Sequence, residues 1–495
     1  QALFSRATIE MTPSALSAAL AYLLGWIEHQ RRQAQLPGGT LAVVHQGKLV
    51  LELAVGQADL STGKALTPQH RFRVASHSKT FTATGVMLLR ERGLLRLDDP
   101  VGRYVGGLHP QVAAVTLAQL LSHSAGLVRD GADAGQWQDR RPFLDEAELR
   151  ADLASGPAIE PNTRFKYSNH GFGLLGLAIE AITGEPYNTW IAREVVAAAG
   201  LAHTRPDAPL GAGEPFARGH TPLLPLGQRL VVPGDNPTRA LSAATGFVST
   251  AGDLARFFAQ LSPTAKRSVL SVDSRREMAR PRWRELHASV ERWYGLGTIS
   301  GRLADWDWFG HTGGFQGTVS RTVVVPAQQL AVSVLTHATD GLAHTWVDGC
   351  LQLLRAAALR GAPNRRCAAW GGAIRRDSAA WGGRWWSMAG PLDLLPLGDR
   401  VLVANPALAN PLMDAAEIEP DARQGRDGVL RGRIALAGGF ASHGEPARLE
   451  CDAQGQPSAL WLGGQRLQPE AQAVRELARR YRAASVVVPP IKRRR

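Results

Sequence analysis

The stretch "VASHSKTFTATGVMLLRERGLL" (74–95) places Ser76 and Lys79 three residues apart at the start of a long apolar run. The run predicts a buried helix that ends before Gly93, because glycine is favoured just past a helix C-terminus. Residues three apart share one helix face, so the amine and the hydroxyl can meet. Two interpretations follow. Ser76 or Ser78 is a helix N-cap beside a solvent-facing lysine, or Ser76 is a nucleophile whose proton passes to a lysine that burial keeps neutral.

Two further motifs follow downstream. "KYSNHG" (166–171) places the phenol of Tyr167 and the amide of Asn169 on the same side of a turn or extended segment. "FGHTGG" (309–314) carries His311 beside a strand-like run, where small residues would let a substrate backbone approach. Each motif alone also fits an ordinary structural role, as a buried tyrosine with a turn asparagine or as a glycine turn.

The order Ser-x-x-Lys, Tyr-x-Asn and His-Thr-Gly before a β-hairpin resembles the serine β-lactamase and DD-peptidase superfamily. The similarity is to its branch of class C β-lactamases, DD-carboxypeptidases, D-aminopeptidases and esterases. The stretches "LLSHSAGL" (120–127) and "TGFVSTAGDLARF" (245–257) and an opening hairpin add to the resemblance, which spans residues 37–360. It implies an α+β fold with an antiparallel sheet flanked by helices and an all-helical region (β-lactamase/transpeptidase-like).

The resemblance also implies a role for each motif residue. Ser76 would be the acylated nucleophile, and Lys79 and Tyr167 the proton-transfer pair, either of which could be the base. The backbone N–H groups of Ser76 and Gly314 would form the oxyanion hole. The remaining motif residues would bind substrate: Asn169, His311, Thr312, Gly313 and Gly314. No cofactor and no metal is expected.

One departure bears on the substrate. Many β-lactamases carry lysine where this chain has His311, and a histidine is only partly charged near neutral pH. The expected function is therefore a serine hydrolase of DD-carboxypeptidase, D-aminopeptidase or esterase type, acting on a small amide, peptide or ester. The alternatives are a β-lactamase proper and a non-catalytic binding or scaffold protein of the same fold. The intact motifs argue against the latter.

Length and composition predict more than one domain. The chain has 495 residues, of which 44% are apolar and 20% charged. Residues 384–468 show short β-like runs, which predict a small β-sandwich or barrel before a final helix. That domain could bind cell wall or a partner, cover the active site or act as a brace. The predicted domains are a leader with an amphipathic helix (1–36), the hydrolase domain (37–360), a linker (361–383) and the small β-domain with a basic tail (384–495).

Charge and targeting signals are weak. The net charge of +13 is dispersed apart from the tail 491–495, so no nucleic-acid partner is expected. Three cysteines far apart argue against a disulfide framework and a thiolate metal site. No stretch reaches the ~18 apolar residues that span a bilayer. Glu10 spoils the basic region of a signal peptide, so a cytoplasmic location is favoured over a periplasmic one, while the oligomeric state is open.

Shorter patterns elsewhere in the chain allow predictions of local structure. "GFGLLG" (171–176) fits helix-packing glycines better than a dinucleotide site, because a loop precedes it. "SHSAG" (122–126) lacks the first glycine of a nucleophile elbow and predicts a turn. Thr250 and Asp253 have the spacing of a capping box. The tryptophans Trp306 and Trp308 could equally wall an acyl pocket or pack in the core.

Overall fold

The structure is a computed structural model that describes residues 12–225, 227–286, 290–361, 378–413, 415–421, 427–437 and 442–480. The chain divides into two compact units. Among the described residues, the larger holds residues 30–351, and the smaller combines residues 12–29 with those from 352 onward. Most of the predicted linker 361–383 and the basic tail lie outside the described residues.

A nine-stranded sheet organises the larger unit, in the order β3-β2-β1-β13-β12-β11-β10-β9-β8, and its paired strands are antiparallel. Strands from the two ends of this unit, β1 and β13, pair at its centre, as the hairpins at both ends of the sequence predict. The strands of this unit are β1 (Gly38–His45), β2 (Lys48–Asp59), β3 (Lys64–Ala65), β4 (Phe72–Arg73), β5 (Gly219–His220), β6 (Val231–Val232), β7 (Val248–Ser249), β8 (Trp283–Arg284), β9 (Arg292–Tyr294), β10 (Ile299–Leu303), β11 (Trp306–Phe315), β12 (Thr318–Val325) and β13 (Leu330–Thr336).

Helices form the rest of the framework. The predicted α+β class, with a sheet, flanking helices and a helical region between the outer strands, is confirmed. The helices of the chain are α1 (Pro13–Gln33), α2 (Ser78–Glu91), α3 (Pro110–Ala113), α4 (Leu117–Leu121), α5 (Glu146–Leu153), α6 (Asn169–Thr183), α7 (Tyr187–Ile191), α8 (Ala251–Gln260), α9 (Val272–Ala279), α10 (Ala343–Gly361) and α11 (Glu470–Arg480).

Both predicted hairpins are present. The first turns at Gln46 and Gly47, which both have positive φ, 50° and 76°, as a tight two-residue turn requires. The second turns through Pro326–Gln328 between β12 and β13. The side chains of β1 and β13 are almost all buried, and α8 packs against both strands.

The helix that carries the first motif is almost wholly buried. Its apolar side includes Phe81, whose ring stacks on Phe247 at 4.4 Å and on Phe257 at 4.0 Å. Its buried threonines are satisfied by hydrogen bonds, for example Thr82 Oγ1 to the Ala243 carbonyl at 2.6 Å. The helix ends as predicted, with Gly93 at φ +71°. A helix held this tightly gives the motif a rigid base.

The capping-box spacing of Thr250 and Asp253 forms only in part. Thr250 Oγ1 accepts the Asp253 N–H at 3.2 Å, but the Asp253 carboxylate accepts from His203 N at 2.7 Å and Thr204 Oγ1 at 3.0 Å. The predicted capping box is therefore half formed, because the carboxylate is engaged by another segment.

The glycines of 171–176 lie in α6, where Gly173 and Gly176 pack closely against neighbouring side chains, so helix packing is confirmed.

The smaller unit contains an eight-stranded antiparallel meander whose first and last strands meet. Trp386 and Gln468 exchange backbone hydrogen bonds of 2.7 and 2.9 Å, which close it into a barrel, the second of the two predicted forms. Buried apolar residues such as Trp385, Val401 and Leu460 fill its core. The strands are β14 (Gly383–Ser387), β15 (Gly390–Leu397), β16 (Arg400–Ala404), β17 (Ala416–Pro420), β18 (Val429–Ala437), β19 (Pro446–Cys451), β20 (Pro457–Leu462) and β21 (Gln465–Leu467).

The first part of α1 belongs to this smaller unit. The Arg384 guanidinium pairs with Asp393 through bonds of 2.7 and 2.9 Å and also donates to the Gly25 carbonyl at 3.0 Å. The predicted amphipathic helix thus docks on the barrel. Across the described ranges, no helix is both long enough and apolar enough to traverse a lipid bilayer.

Candidate active site

Ser76 lies in a 3-10 turn, Ala75–His77, that directly precedes α2. Ala75 adopts φ +47°, a left-handed conformation that is uncommon for a residue with a Cβ. This turn leaves Ser76 half-buried at the surface of the site, whereas Ser78 is buried and donates to the Ala75 carbonyl at 2.5 Å. Neither serine caps α2, so the helix-cap interpretation is wrong.

Lys79 is fully buried rather than solvent-facing. Its Nζ donates to Ser76 Oγ at 3.1 Å, to Asn169 Oδ1 at 2.7 Å and to the Ala244 carbonyl at 2.8 Å. Burial lowers the pKa of this amine well below its ordinary value; Asp130 acts in the opposite direction and Arg129 adds to the lowering. The site therefore favours the neutral form of this amine more than water does.

Tyr167 and Asn169 lie at the junction of the polar loop and the start of α6. Tyr167 donates its phenol proton to Ser76 Oγ at 2.7 Å. Burial raises the pKa of Tyr167, although the Ser76 hydrogen bond and the Arg129 charge oppose the rise. Tyr167 is therefore a neutral phenol near neutral pH, and the four residues of the first two motifs form one hydrogen-bonded cluster.

The third motif lies within β11, at a part of the strand with one free edge. Strand β10 pairs with residues 306–310 of β11, whereas β12 pairs with residues 309–315. A Cβ at Gly313 would clash with the Val74 carbonyl, so the strand packs directly against the turn that carries Ser76. A Cβ at Gly314 would meet nothing within 4 Å, which marks open space over the face of the strand opposite to Gly313.

His311 does not contact the Ser76 cluster through its hydrogen bonds. Its Nε2 lies 3.0 Å from the Tyr294 hydroxyl, and its Nδ1 lies 2.9 Å from the backbone N of Thr312. Only 2% of His311 is exposed, and burial, with a smaller effect of His77, lowers its pKa well below the ordinary value. His311 is thus a neutral ring near neutral pH.

The positions of the two tryptophans and of the serine turn in the structure decide their roles. Side chains alternate along a strand, so Trp306 and Trp308 lie on the face of β11 opposite to His311. Trp308 packs there with the Arg321 guanidinium 5.4 Å from its ring centre, so these side chains do not wall the site from the His311 face. Ser124 of "SHSAG" is buried and bonded to Ser122 Oγ at 3.1 Å, which is a turn as predicted.

No sequence motif identifies two further residues of the site, Asp130 and Tyr294. Asp130 accepts a hydrogen bond from Asn169 Nδ2 at 2.6 Å, and Tyr294 holds His311. Asp130 lies in the polar stretch between the first two motifs, but nothing in its local pattern points to Asn169. Tyr294 is the last residue of β9, and its contact with His311 depends on how β10 pairs with both β9 and β11 in the folded sheet.

Comparison with known proteins agrees with this geometry. A family model described as "Beta-lactamase" matches residues 24–346. Penicillin-binding protein 4 of Amycolatopsis lactamdurans is 30% identical over 62% of this chain and 82% of its own length. The chain spans 36% of the length of the first curated relatives it matches, the flp proteins of Staphylococcus aureus, with 27% identity over 36% of this chain in strain MRSA252.

Solved structures show the same fold. An octameric penicillin-binding protein homologue from Pyrococcus abyssi superposes with a TM-score of 0.61 at 22% identity, over 91% of this chain and 99% of that one. The D-amino acid amidase of Ochrobactrum anthropi SV3 gives 0.58 at 23% identity, over 69% and 99%. With the family model matching most of its length, the chain belongs to the beta-lactamase family.

Proposed function

We propose that this protein hydrolyses amides, peptides or esters through an acyl-enzyme formed on Ser76. The observation that carries the proposal is that the half-buried Ser76 hydroxyl lies within hydrogen-bond distance of both Lys79 Nζ and the Tyr167 hydroxyl, at 3.1 and 2.7 Å. One neighbour is an amine whose pKa burial lowers, and the other is a phenol whose pKa burial raises. A base and an acid therefore meet at one nucleophile.

The two pKa directions support a division of roles within the pair. Neutral Lys79 takes the Ser76 proton as Oγ attacks the carbonyl carbon, and the carbonyl electrons move to oxygen. The backbone N–H groups of Ser76 and Gly314 stabilise that oxyanion. Tyr167 then gives its proton to the leaving nitrogen or oxygen as the scissile bond breaks, and the proton on Lys79 replaces it.

Hydrolysis of the ester on Ser76 completes the cycle. A water molecule attacks the acyl carbon while Tyr167 or Lys79 accepts its proton, and Ser76 Oγ leaves with a proton from the same pair. Both steps use the same atoms, so one hydrogen-bonded cluster serves acylation and deacylation.

The strand motif supports a substrate preference. The free edge of β11 at residues 311–315 suits an extended substrate backbone. Asn169 would bind the substrate amide, and His311 and Thr312 would line the strand side. Because His311 is neutral, the site offers no fixed cation at this place, which favours amidase, peptidase or esterase action over β-lactam hydrolysis. D-amino acid amides are a first class to test, since an amidase of that name shares the fold.

Ser76→Ala tests the proposal directly. A fluorescent fluorophosphonate should label the parent protein at Ser76, and the variant should lose both labelling and turnover. Ser124→Ala is the matched control, because that serine lies in the elbow-like "SHSAG" turn and should leave labelling intact. Undiminished turnover by Ser76→Ala would refute the proposal. A screen of p-nitrophenyl esters, D-amino acid amides, D-Ala-D-Ala peptides and nitrocefin would then rank the substrates.

A further inference from the structure

Asp130 is a partly buried carboxylate that the proposed steps do not use. Its Oδ1 accepts from Asn169 Nδ2 at 2.6 Å and from Trp137 Nε1 at 2.8 Å, and its Oδ2 lies 2.9 Å from Nε of Arg129. The side chain is 11% exposed. Three donors from three places along the chain therefore hold one carboxylate beside the active site.

Backbone hydrogen bonds also hold the segment that carries this carboxylate. The Arg129 carbonyl accepts the N–H of Asn169 at 2.9 Å and that of His170 at 3.3 Å. These are the first N–H groups of α6, which have no partner within the helix. The loop that carries Asp130 is thus attached to the start of the helix that carries Asn169.

The chemistry of the contact sets the orientation of an amide. A carboxylate only accepts hydrogen bonds, so the –NH2 end of Asn169 must face Asp130. The oxygen end then faces Lys79 Nζ, at 2.7 Å. A rotated Asn169 would present an N–H to the lysine instead, and the amine would lose an acceptor.

Asp130 also acts on the charge of the lysine. The charged and titratable groups that bear on Lys79 are Arg129, Asp130, His123, His311 and Tyr167. Burial lowers the pKa of the two histidines and raises that of the tyrosine, so all three are neutral near neutral pH. The negative charge in this set is Asp130, and it opposes the effect of burial on the pKa of Lys79.

We propose that Asp130 is a positioning residue for the Ser76 reaction: it fixes the amide of Asn169 toward Lys79 and supplies the negative charge that sets when the lysine is deprotonated. The inference rests on the proposed function. Removing the charge leaves a lysine that loses its proton at lower pH but is held less accurately toward Ser76.

The experiment measures the rate of Ser76 labelling by a fluorescent fluorophosphonate as a function of pH. In Asp130→Asn the acid limb of the profile should move about one pH unit toward acid, because the neighbouring negative charge is gone. The plateau rate should fall about tenfold or more, because the cluster is less well oriented. Asp130→Glu keeps the charge and should keep the position of the acid limb.

Asp133→Asn is the matched control. Asp133 lies in the same loop, where its carboxylate accepts the Gly135 N–H at 2.9 Å and pairs with Arg141 at 3.5 Å. This substitution should leave the profile unchanged. Thermal unfolding of each variant would establish that it is folded.

The outcomes separate the two proposals. A lower plateau with an unmoved acid limb in Asp130→Asn would make Asp130 a merely structural residue and overturn this inference, as would a profile equal to that of the parent. Failure of the parent to be labelled at Ser76 would overturn the proposed function itself. A moved limb in both Asp130→Asn and Asp133→Asn would assign the effect to the net charge of the loop, which also overturns the inference.

Discussion

The hydroxyl oxygen of Tyr294 lies 3.0 Å from Nε2 of His311, and this contact holds the strand histidine inside an aromatic wall. The ring of Tyr294 packs at 4.6 Å from that of His123, which lies 4.1 Å from the ring of Tyr167. A charged imidazole in this wall would lose its hydration without gaining a carboxylate partner. The histidine is therefore a neutral hydrogen-bonding group near neutral pH.

Buried neutral histidines make the folded state sensitive to acid. Burial lowers the pKa of His77 to about 3 and that of His344 to about 4, and those of His123 and His311 fall well below the ordinary value. In the unfolded chain a histidine binds its proton near pH ~6.5. Below that pH the unfolded state binds more protons, so the free energy of unfolding should decrease as the pH falls from 7.5 to 5.5, by up to about 1.4 kcal/mol per pH unit for each group.

Urea unfolding at three pH values would measure this slope. His77→Asn is the matched variant, because it removes one of these buried histidines. The slope of the free energy of unfolding against pH should become shallower by the contribution of His77. A free energy of unfolding that stays constant or rises on acidification to pH 5.5 would contradict the prediction.

Tyr167→Phe should separate catalysis from folding. The substitution removes the hydroxyl that donates to Ser76 Oγ, and loss of a positioned acid–base group typically costs about 10²- to 10⁴-fold in rate. The measurement is turnover of the best substrate, with circular dichroism to verify the fold. Tyr187→Phe is the control, since the Tyr187 hydroxyl bonds to Thr82 Oγ1 at 2.7 Å and not to Ser76. Near-normal turnover by Tyr167→Phe would remove the phenol from the mechanism.

The sequence predicts the parts of this site that are local. Ser76 and Lys79 are three residues apart, and the apolar run after them implies the buried helix on which their contact depends. Tyr167 and His311 are predicted from the order of the three motifs along the chain, because that order is typical of a family with one fold. The hairpins follow from turn residues such as Gln46 and Gly47, whose backbone preferences act locally.

The remaining features depend on contacts that no local pattern records. Asp130 meets Asn169 across 39 residues of chain, and the Ala244 carbonyl meets Lys79 across 165. Whether Asp253 completes a capping box depends on His203, a competitor from another segment. In each case the choice among several possible partners is made by tertiary packing, which a single sequence does not show.

The adjacent glycines of the third motif should respond differently to the same change. In Gly313→Ala the new Cβ would clash with the Val74 carbonyl and meet Ser320 Oγ at 2.5 Å, so β11 or the turn that carries Ser76 must shift. We expect a loss of stability of about 1 to 3 kcal/mol, as overpacking typically causes, together with slower labelling of Ser76. Gly314→Ala has open space around its Cβ, so the melting temperature should stay near that of the parent.

Any loss of activity in Gly314→Ala then reports on the site rather than on the fold, because the backbone N–H of Gly314 is one of the proposed oxyanion-hole donors. Melting temperatures and labelling rates of the two variants, measured in parallel, give the test. If both variants were equally stable and equally reactive, the close approach of β11 to the Ser76 turn would not be needed to hold the nucleophile in place.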